Sequence, residues 1–119
     1  GKLPKDSRDG SIPRWTSLSQ KGVKQQVEIK LKKEQPIESV SVYWYDDKGG
    51  VQLPVSWEME YHTNGQWHPF KLYVTDNYGI QPDQFNMVHP AEPIQADAIR
   101  LNIQPKKEAT VGILEVTIE

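Results

Sequence analysis

Asp46 and Asp47 form the only adjacent pair of acidic residues in the chain, and paired carboxyl groups can do acid–base chemistry. A glycosidase needs two carboxyl groups that face each other across a bond, about 5–9 Å apart. Neighbouring residues on a strand point to opposite faces, and the sequence supplies no apolar pocket that would keep one carboxyl group protonated. We therefore interpret the pair as a solvated turn before Gly49-Gly50.

Other catalytic chemistry has no better support in the sequence. No nucleophile-elbow motif is present, and the three histidines, His62, His68 and His89, lack the spacing of metal ligands. His62 follows a strand pattern beside a turn, so we expect it to be exposed. The absence of cysteine excludes disulfides, thiolate zinc sites and cysteine nucleophiles. We expect this chain to have no catalytic activity of its own.

The remaining side-chain chemistry is that of sugar recognition, in which an aromatic face meets a sugar ring and planar polar groups bind its hydroxyls. Three predicted loops contain such residues: Arg14, Trp15, Tyr45, Asp46, Asp47, Asn77 and Tyr78. Tyr78 is the most suggestive, because it lies among Asp76, Asn77 and Gly79 and has little part in any strand pattern.

Several aromatic and basic residues have a structural interpretation as well. Trp15 can pack under its own loop, and Tyr45 can be an aromatic residue of an edge strand. Arg100 lies between two core positions, where arginine usually braces a neighbouring carboxylate. Three further tryptophans alternate with polar neighbours and are predicted to pack in the core or hairpin: Trp44, Trp57 and Trp67.

Strands must position these loops, because apolar residues alternate with polar ones along most of the chain. Asn64-Gly65 separates two such runs and suits a type I′ hairpin turn, and we expect the return strand to continue through Phe70, Leu72 and Val74. The other alternating runs are Val27–Leu31, Val40–Trp44, Phe85–His89, Ile99–Ile103 and Leu114–Ile118. Seven to eight strands with frequent turns predict an all-β sandwich with one solvated face per sheet.

Composition narrows the class of protein further. A chain of 119 residues with a net charge of −2 predicts one domain, 1–119, with no basic field for nucleic acid. Lys30, Lys32 and Lys33 are best interpreted as protection of an edge strand. No apolar run is long enough for a transmembrane segment. Because the chain starts at Gly1 in a polar segment, we expect a fragment of a larger protein.

The order of several motifs resembles the discoidin, or coagulation factor V/VIII type C, domains. Ser56–Tyr61, a short turn and Gly65–Phe70 resemble their central hairpin, and Ala98–Leu101 and Gly112–Val116 resemble their last strands. Asp9–Ser17 resembles their N-terminal loop. A narrower set is similar to C-terminal accessory domains of bacterial glycoside hydrolases, including β-L-arabinofuranosidase-like enzymes: Pro13–Thr16, Val42–Asp47, Leu53–Trp57 and Gly112–Glu115.

This resemblance implies a jelly-roll sandwich of the galactose-binding-like class. It further implies a carbohydrate-binding or accessory module of a secreted or periplasmic glycoside hydrolase, with an oligosaccharide or polysaccharide and the catalytic domain as partners. Discoidin-like modules bind sugar through loops at one end and commonly hold a structural Ca²⁺. By resemblance the side-chain ligands would be Asp9, Thr16 and Glu115, although the N-terminal loop is longer than the family pattern.

Two other functions remain open at this point. The domain can act as a structural brace that packs on its catalytic neighbour without binding sugar. It can also serve adhesion to a protein or a lipid head group, which requires apolar loop tips, and only Val51 and Ile80 are candidates.

Overall fold

The computed structural model describes residues 22–119 and the backbone of the short strand Trp15–Thr16. Eight strands form, and the described residues include no helix: β1 Trp15–Thr16, β2 Gln25–Ile37, β3 Val40–Tyr45, β4 Ser56–Thr63, β5 Gln66–Pro69, β6 Phe85–Val88, β7 Ile94–Gln104 and β8 Gly112–Ile118. Accordingly, no helix capable of crossing a membrane occurs in this part of the chain.

The strands form two four-stranded antiparallel sheets, in the orders β1-β8-β3-β6 and β2-β7-β4-β5. Apolar side chains from both sheets meet in one core, in which Trp44 of β3 packs edge-on against Trp57 of β4 with ring centroids 5.4 Å apart. The alternating residues Ile99, Leu101 and Ile103 of β7 are fully buried there. Burial of each such side chain stabilises the fold by about 1.5–3 kcal/mol. The predicted all-β sandwich is confirmed.

The Asn-Gly hairpin forms as predicted between β4 and β5. Asn64 and Gly65 have φ angles of 52° and 76°, the left-handed values that a type I′ turn requires. The return strand, however, ends at Pro69, so the predicted continuation through Val74 is wrong. Only Leu72 makes a further bridge, to Pro90, and Val74 is 87% exposed. Pro69 has no N–H to donate. Phe70 N still donates to Met59 O of β4 at 3.1 Å, and the chain leaves the sheet after this bond.

Strand β2 is longer than predicted. The proline of Glu34-Gln35-Pro36 suggests a turn, but β2 continues through this segment. A bulge at residues 31–34 shifts the register with β7 between Lys30 and Gln35, and Gln35 and Pro36 then pair with Ala96 and Gln95. Pro36 is tolerated here since β2 is an edge strand, where the missing N–H costs no ladder bond.

Strand β3 is buried on both faces, whereas the alternation predicted a solvated outer face. Val40, Val42 and Trp44 enter the main core, and on the other face Tyr43 and Tyr45 pack in a second cluster with Val51 and Leu114. Phe85 of the neighbouring β6 packs against this cluster, with its ring edge-on to Tyr43 at 5.2 Å. The alternation of apolar and polar residues in the sequence does not by itself reveal a second apolar layer outside β3.

Candidate functional site

The loop after β3 uses its polar residues to hold its own turn. Asp46 Oδ1 accepts a hydrogen bond from Lys48 N at 2.7 Å, and Asp47 Oδ1 accepts bonds from Gly49 N at 2.7 Å and Val51 N at 3.1 Å. The pair forms a turn as predicted, but only Asp47 is exposed to solvent, because Asp46 is buried. Tyr45 is only 7% exposed, so its ring offers a ligand little surface. Sugar contact by these three residues stays a prediction.

Tyr78 supports the fold, in contrast to the free loop aromatic that the sequence suggests. Its hydroxyl donates to Phe70 O at 2.9 Å and accepts from Met59 N at 3.2 Å. Its ring packs against Trp57 with centroids 4.8 Å apart. Burial raises the pKa of the Tyr78 phenol, the Met59 hydrogen bond opposes this effect, and the charge of Glu58 adds to it. Tyr78 lies outside every strand, as expected, but its hydroxyl and ring hold the loop against the core, which the sequence pattern did not predict.

The loop that carries Tyr78 is fixed by Gly79 and Asn86. Gly79 O accepts hydrogen bonds from the indoles of Trp57 at 2.8 Å and Trp44 at 3.2 Å. A Cβ at Gly79 would lie 2.7 Å from Asn86 Oδ1, so glycine permits this approach. Asn86 in turn accepts from Gln81 N at 2.9 Å. These bonds attach the loop to both sheets and so fix the position of the residues that precede Gly79.

Tyr73, earlier in the same loop, presents the aromatic surface that Tyr78 does not. At 51% exposure it is the only aromatic side chain among residues 22–119 that is classed as exposed. Its backbone is held on both sides: Tyr73 N donates to His89 O at 2.9 Å, and Tyr73 O accepts from Asp76 N at 2.9 Å. The Leu72–Pro90 bridge brings the two segments together.

Tyr73, Thr75, Asp76 and His89 line a cavity of about 390 Å³, which we name the Tyr73 site. Asp76 Oδ2 receives two bonds from His89, one from the backbone N at 2.7 Å and one involving ring Nδ1 at 2.9 Å. The Asp76 side chain is 17% exposed and that of His89 is 49% exposed. A half-buried carboxylate thus orients an exposed imidazole beside an exposed phenol.

The arrangement of this site suits recognition of hydroxyl groups. With Nδ1 directed at Asp76, ring Nε2 of His89 has no hydrogen bond to any described residue. A neutral imidazole donating from Nδ1 accepts a hydroxyl proton at Nε2, and a protonated one donates there. Tyr73 supplies a flat face for a sugar ring, and the exposed Asn77 follows Asp76 directly.

Sequence reasoning missed Tyr73, Asp76 and His89 as a group. Tyr73 fell within the predicted return strand, and His89 within a separate strand pattern. Asp76 and His89 are 13 positions apart, and their contact depends on the bridge between Leu72 and Pro90. The available signal was the Thr-Asp-Asn-Tyr-Gly composition of the loop, which led to Asn77 and Tyr78 only.

Of the other predictions about side chains, some are confirmed and others are wrong. Arg100 braces carboxylates as predicted, with Nε 3.0 Å from Glu60 Oε1 and Nη1 3.4 Å from Glu28 Oε1. His62 is half-buried and lies 2.6 Å from Asp97 Oδ1, so the prediction of an exposed side chain is wrong. The two apolar tips required for adhesion do not protrude, since Val51 is 4% exposed and Ile80 packs on the core.

The proposed calcium ligands are described only in part. Glu115 lies half-buried on β8 opposite Tyr43, while Asp9 and the side chain of Thr16 lie outside the described residues. Within those residues, no group of three or more acidic, histidine or cysteine side chains could hold a metal ion. Glu115 alone does not fit the six to eight oxygen ligands of calcium. The sugar candidates Arg14 and the side chain of Trp15 likewise lie outside the described residues.

Known proteins share both the sequence pattern and the fold. The family model of the F5/8 type C domain matches residues 4–116. The β-galactosidase BgaA of Streptococcus pneumoniae has a similar structure, with a TM-score of 0.73 at 15% identity over 94% of this chain and 83% of that chain. The family 32 carbohydrate-binding module of Clostridium perfringens NanJ, solved with galactose, gives 0.71 at 16% identity over 94% and 81% of the two chains.

A pectin-binding carbohydrate-binding module is also similar, with a TM-score of 0.63 at 18% identity over 95% of this chain and 76% of that chain. At these identities the likeness establishes a shared fold.

Proposed function

The chain belongs to the F5/8 type C domain family, and on this premise we propose that it is a carbohydrate-binding module. Domains of this family are non-catalytic, as the sequence predicted for this chain. The observation that carries the proposal is the Tyr73 site, where an exposed aromatic ring lies beside an oriented carboxylate–imidazole pair. The similar fold of the NanJ carbohydrate-binding module, which was solved with galactose, supports the proposal.

In this proposal the phenol ring of Tyr73 stacks on the apolar face of a sugar. Asp76 accepts a hydrogen bond from one hydroxyl, and His89 Nε2 exchanges a hydrogen bond with another. Asn77 is a further ligand from the predicted set, and Arg14 and Trp15 remain proposed contacts. Tyr73 takes the stacking role expected of Tyr78, since the Tyr78 hydroxyl and ring already contact other residues of the protein.

We propose a neutral galactoside as ligand because the similar NanJ module was solved with galactose. The site is shallow, and binding must overcome the cost of immobilising the sugar, so a dissociation constant of roughly micromolar to millimolar is expected.

The variant Tyr73→Ala tests the site, and we expect it to weaken binding of galactose or a galactan oligosaccharide about tenfold or more, because the stacking face is lost. Val55→Ala is the matched control, since Val55 is 57% exposed at the other end of the sandwich. NMR titration measures both. Unchanged affinity in Tyr73→Ala would remove the Tyr73 site from the proposal, and absence of binding by the unmodified protein to any galactan or arabinan oligosaccharide would favour the structural brace.

We further propose that the domain 1–119 is an accessory module of a larger secreted or periplasmic glycoside hydrolase. The likeness to a domain of the S. pneumoniae β-galactosidase supports this context. Joined to its catalytic domain, the module should raise the rate of hydrolysis of a polysaccharide more than that of a small chromogenic glycoside. An equal effect of Tyr73→Ala on both substrates would contradict the proposal.

A structural calcium ion at Asp9, Thr16 and Glu115 remains a proposal by family resemblance. Metal binding only to the folded state raises thermal stability by mass action. We therefore expect millimolar calcium to raise Tm and Glu115→Gln to abolish that rise. Equal Tm values in calcium and in a chelator would contradict the site.

A further inference from the structure

A second cavity of about 550 Å³ lies on the outer face of the β2-β7-β4-β5 sheet and shares no residue with the Tyr73 site. It follows the bulge of β2, where Lys30 pairs with Ala98 and Gln35 pairs with Ala96. The extra β2 residues therefore stand away from the regular ladder. We name this cavity the β2 groove; its polar and aromatic lining includes Lys30, Lys32, Lys33, His62, Trp67 and Asp97.

The acidic side chains of the β2 groove have bonding partners, whereas its lysines have no side-chain partner among the described residues. Its acidic side chains all have partners: Asp97 Oδ1 lies 2.6 Å from His62 Nδ1, Glu34 accepts from the Thr63 hydroxyl at 2.7 Å, and Glu28 pairs with Arg100 at 3.4 Å. The three lysines make no ion pair or hydrogen bond with a side chain among the described residues, and all three are exposed. Among the described residues, the groove thus offers three exposed lysines without side-chain partners, while its three carboxylates are held by His62, Thr63 and Arg100.

Trp67 gives the same groove an aromatic wall. Its indole is held by the Arg100 guanidinium, 4.1 Å from the ring centroid, and by the edge of His62, 5.0 Å away. Arg100 is fixed in turn by Glu60 at 2.9 Å, so the aromatic wall has a defined orientation. Edge protection explains lysines on β2, but it does not require a cavity or a braced tryptophan beside them.

We propose that the β2 groove binds a carboxylated oligosaccharide, a short chain of uronic acid residues. The lysine ammonium groups would pair with the carboxylates, and Trp67 would contact a sugar ring. Three cations among three acidic side chains suit a sparsely charged chain better than the dense phosphates of a nucleic acid. This inference rests on the proposed carbohydrate binding, but it uses none of the Tyr73 site residues.

The test compares two triple variants with the same change of net charge. The groove variant is Lys30→Gln, Lys32→Gln and Lys33→Gln; the control is Lys48→Gln, Lys106→Gln and Lys107→Gln, which alters exposed lysines of the loops at one end of the sandwich. Both should fold, because none of the six side chains is buried. Hexagalacturonate is the probe, and a neutral galactan oligosaccharide of equal length is the comparison ligand.

We expect the groove variant to bind hexagalacturonate about tenfold more weakly, while the control changes affinity less than about twofold. Raising ionic strength to about 0.15 M should weaken the interaction further. The indole N–H resonance of Trp67 should shift on binding of hexagalacturonate and not of the neutral ligand.

Equal losses in the two variants would overturn the proposal in favour of general charge attraction. Tighter binding of a sulfated oligosaccharide or an oligonucleotide would overturn it in favour of another polyanion. Binding of the neutral ligand alone, abolished by Tyr73→Ala, would overturn the β2 groove and leave the proposed function intact.

Discussion

Tyr73 and Tyr78 are five positions apart in one loop, yet the protein uses them in opposite ways. Tyr78 places its hydroxyl between Met59 N and Phe70 O, and its ring joins the core. Tyr73 keeps half of its surface exposed beside Asp76 and His89. Tyr73 stands between Leu72 and Val74 and Tyr78 between Asn77 and Gly79, so their neighbours suggest the reverse of the observed roles. Long-range contacts decide which ring supports the loop and which stays exposed.

The different roles of the two tyrosines predict different stabilities of their phenylalanine variants. Tyr78→Phe leaves Met59 N and Phe70 O without their partner and should lower the free energy of unfolding by about 1–3 kcal/mol. Tyr73→Phe should change it by less than about 0.5 kcal/mol. Urea denaturation measures both values. Equal stability of the two variants would contradict the role of Tyr78 as a support.

At the scale of elements, the strands were predictable, and their exceptions arise from contacts with other segments of the chain. Burial alternates in the first half of β4, the predicted apolar positions Ile99, Leu101 and Ile103 of β7 are fully buried, and Asn64-Gly65 forms the expected turn. The bulge of β2 and the second layer outside β3 were not predictable, because each depends on residues of other segments. The same holds for the Tyr73 site, which exists only where Leu72 meets Pro90.

The outer face of the β2-β7-β4-β5 sheet should make stability depend on pH through Glu60. The Asn102 hydrogen bond is the largest cause that lowers the pKa of the Glu60 carboxyl group, burial opposes it, and Arg100 lowers it further. Because the folded pKa lies below the ordinary value of 4.5, the stabilisation is complete above that pH. It is lost as pH falls through the lower, folded-state pKa.

Glu60→Gln should therefore reduce the difference in stability between neutral pH and acidic pH below 4.5. Glu92→Gln is the matched control, because Glu92 is exposed and makes no ion pair among the described residues. Chemical denaturation at a series of pH values gives the comparison. A pH dependence in Glu60→Gln that equals that of the unmodified protein would contradict this account.

At the scale of the whole molecule, the two surfaces that we propose for ligand recognition are built in different ways. The Tyr73 site arises from loop residues held against His89 beyond β6, and the β2 groove arises from a sheet face and a bulge. They share no residue and differ in charge, so we expect independent binding. A saturating neutral galactoside should change the dissociation constant for hexagalacturonate less than about twofold. A larger change would show coupling or a common site.

A two-dimensional NMR titration of the protein with galactose is the sharpest test of sugar binding at the Tyr73 site. We expect progressive shifts of the amide resonances of Tyr73, Asp76 and His89, with a millimolar or tighter dissociation constant, and we expect these shifts to be lost in Tyr73→Ala. Shifts confined to the loop of Asp46 and Asp47, or no shifts at saturating galactose and galactan, would contradict it.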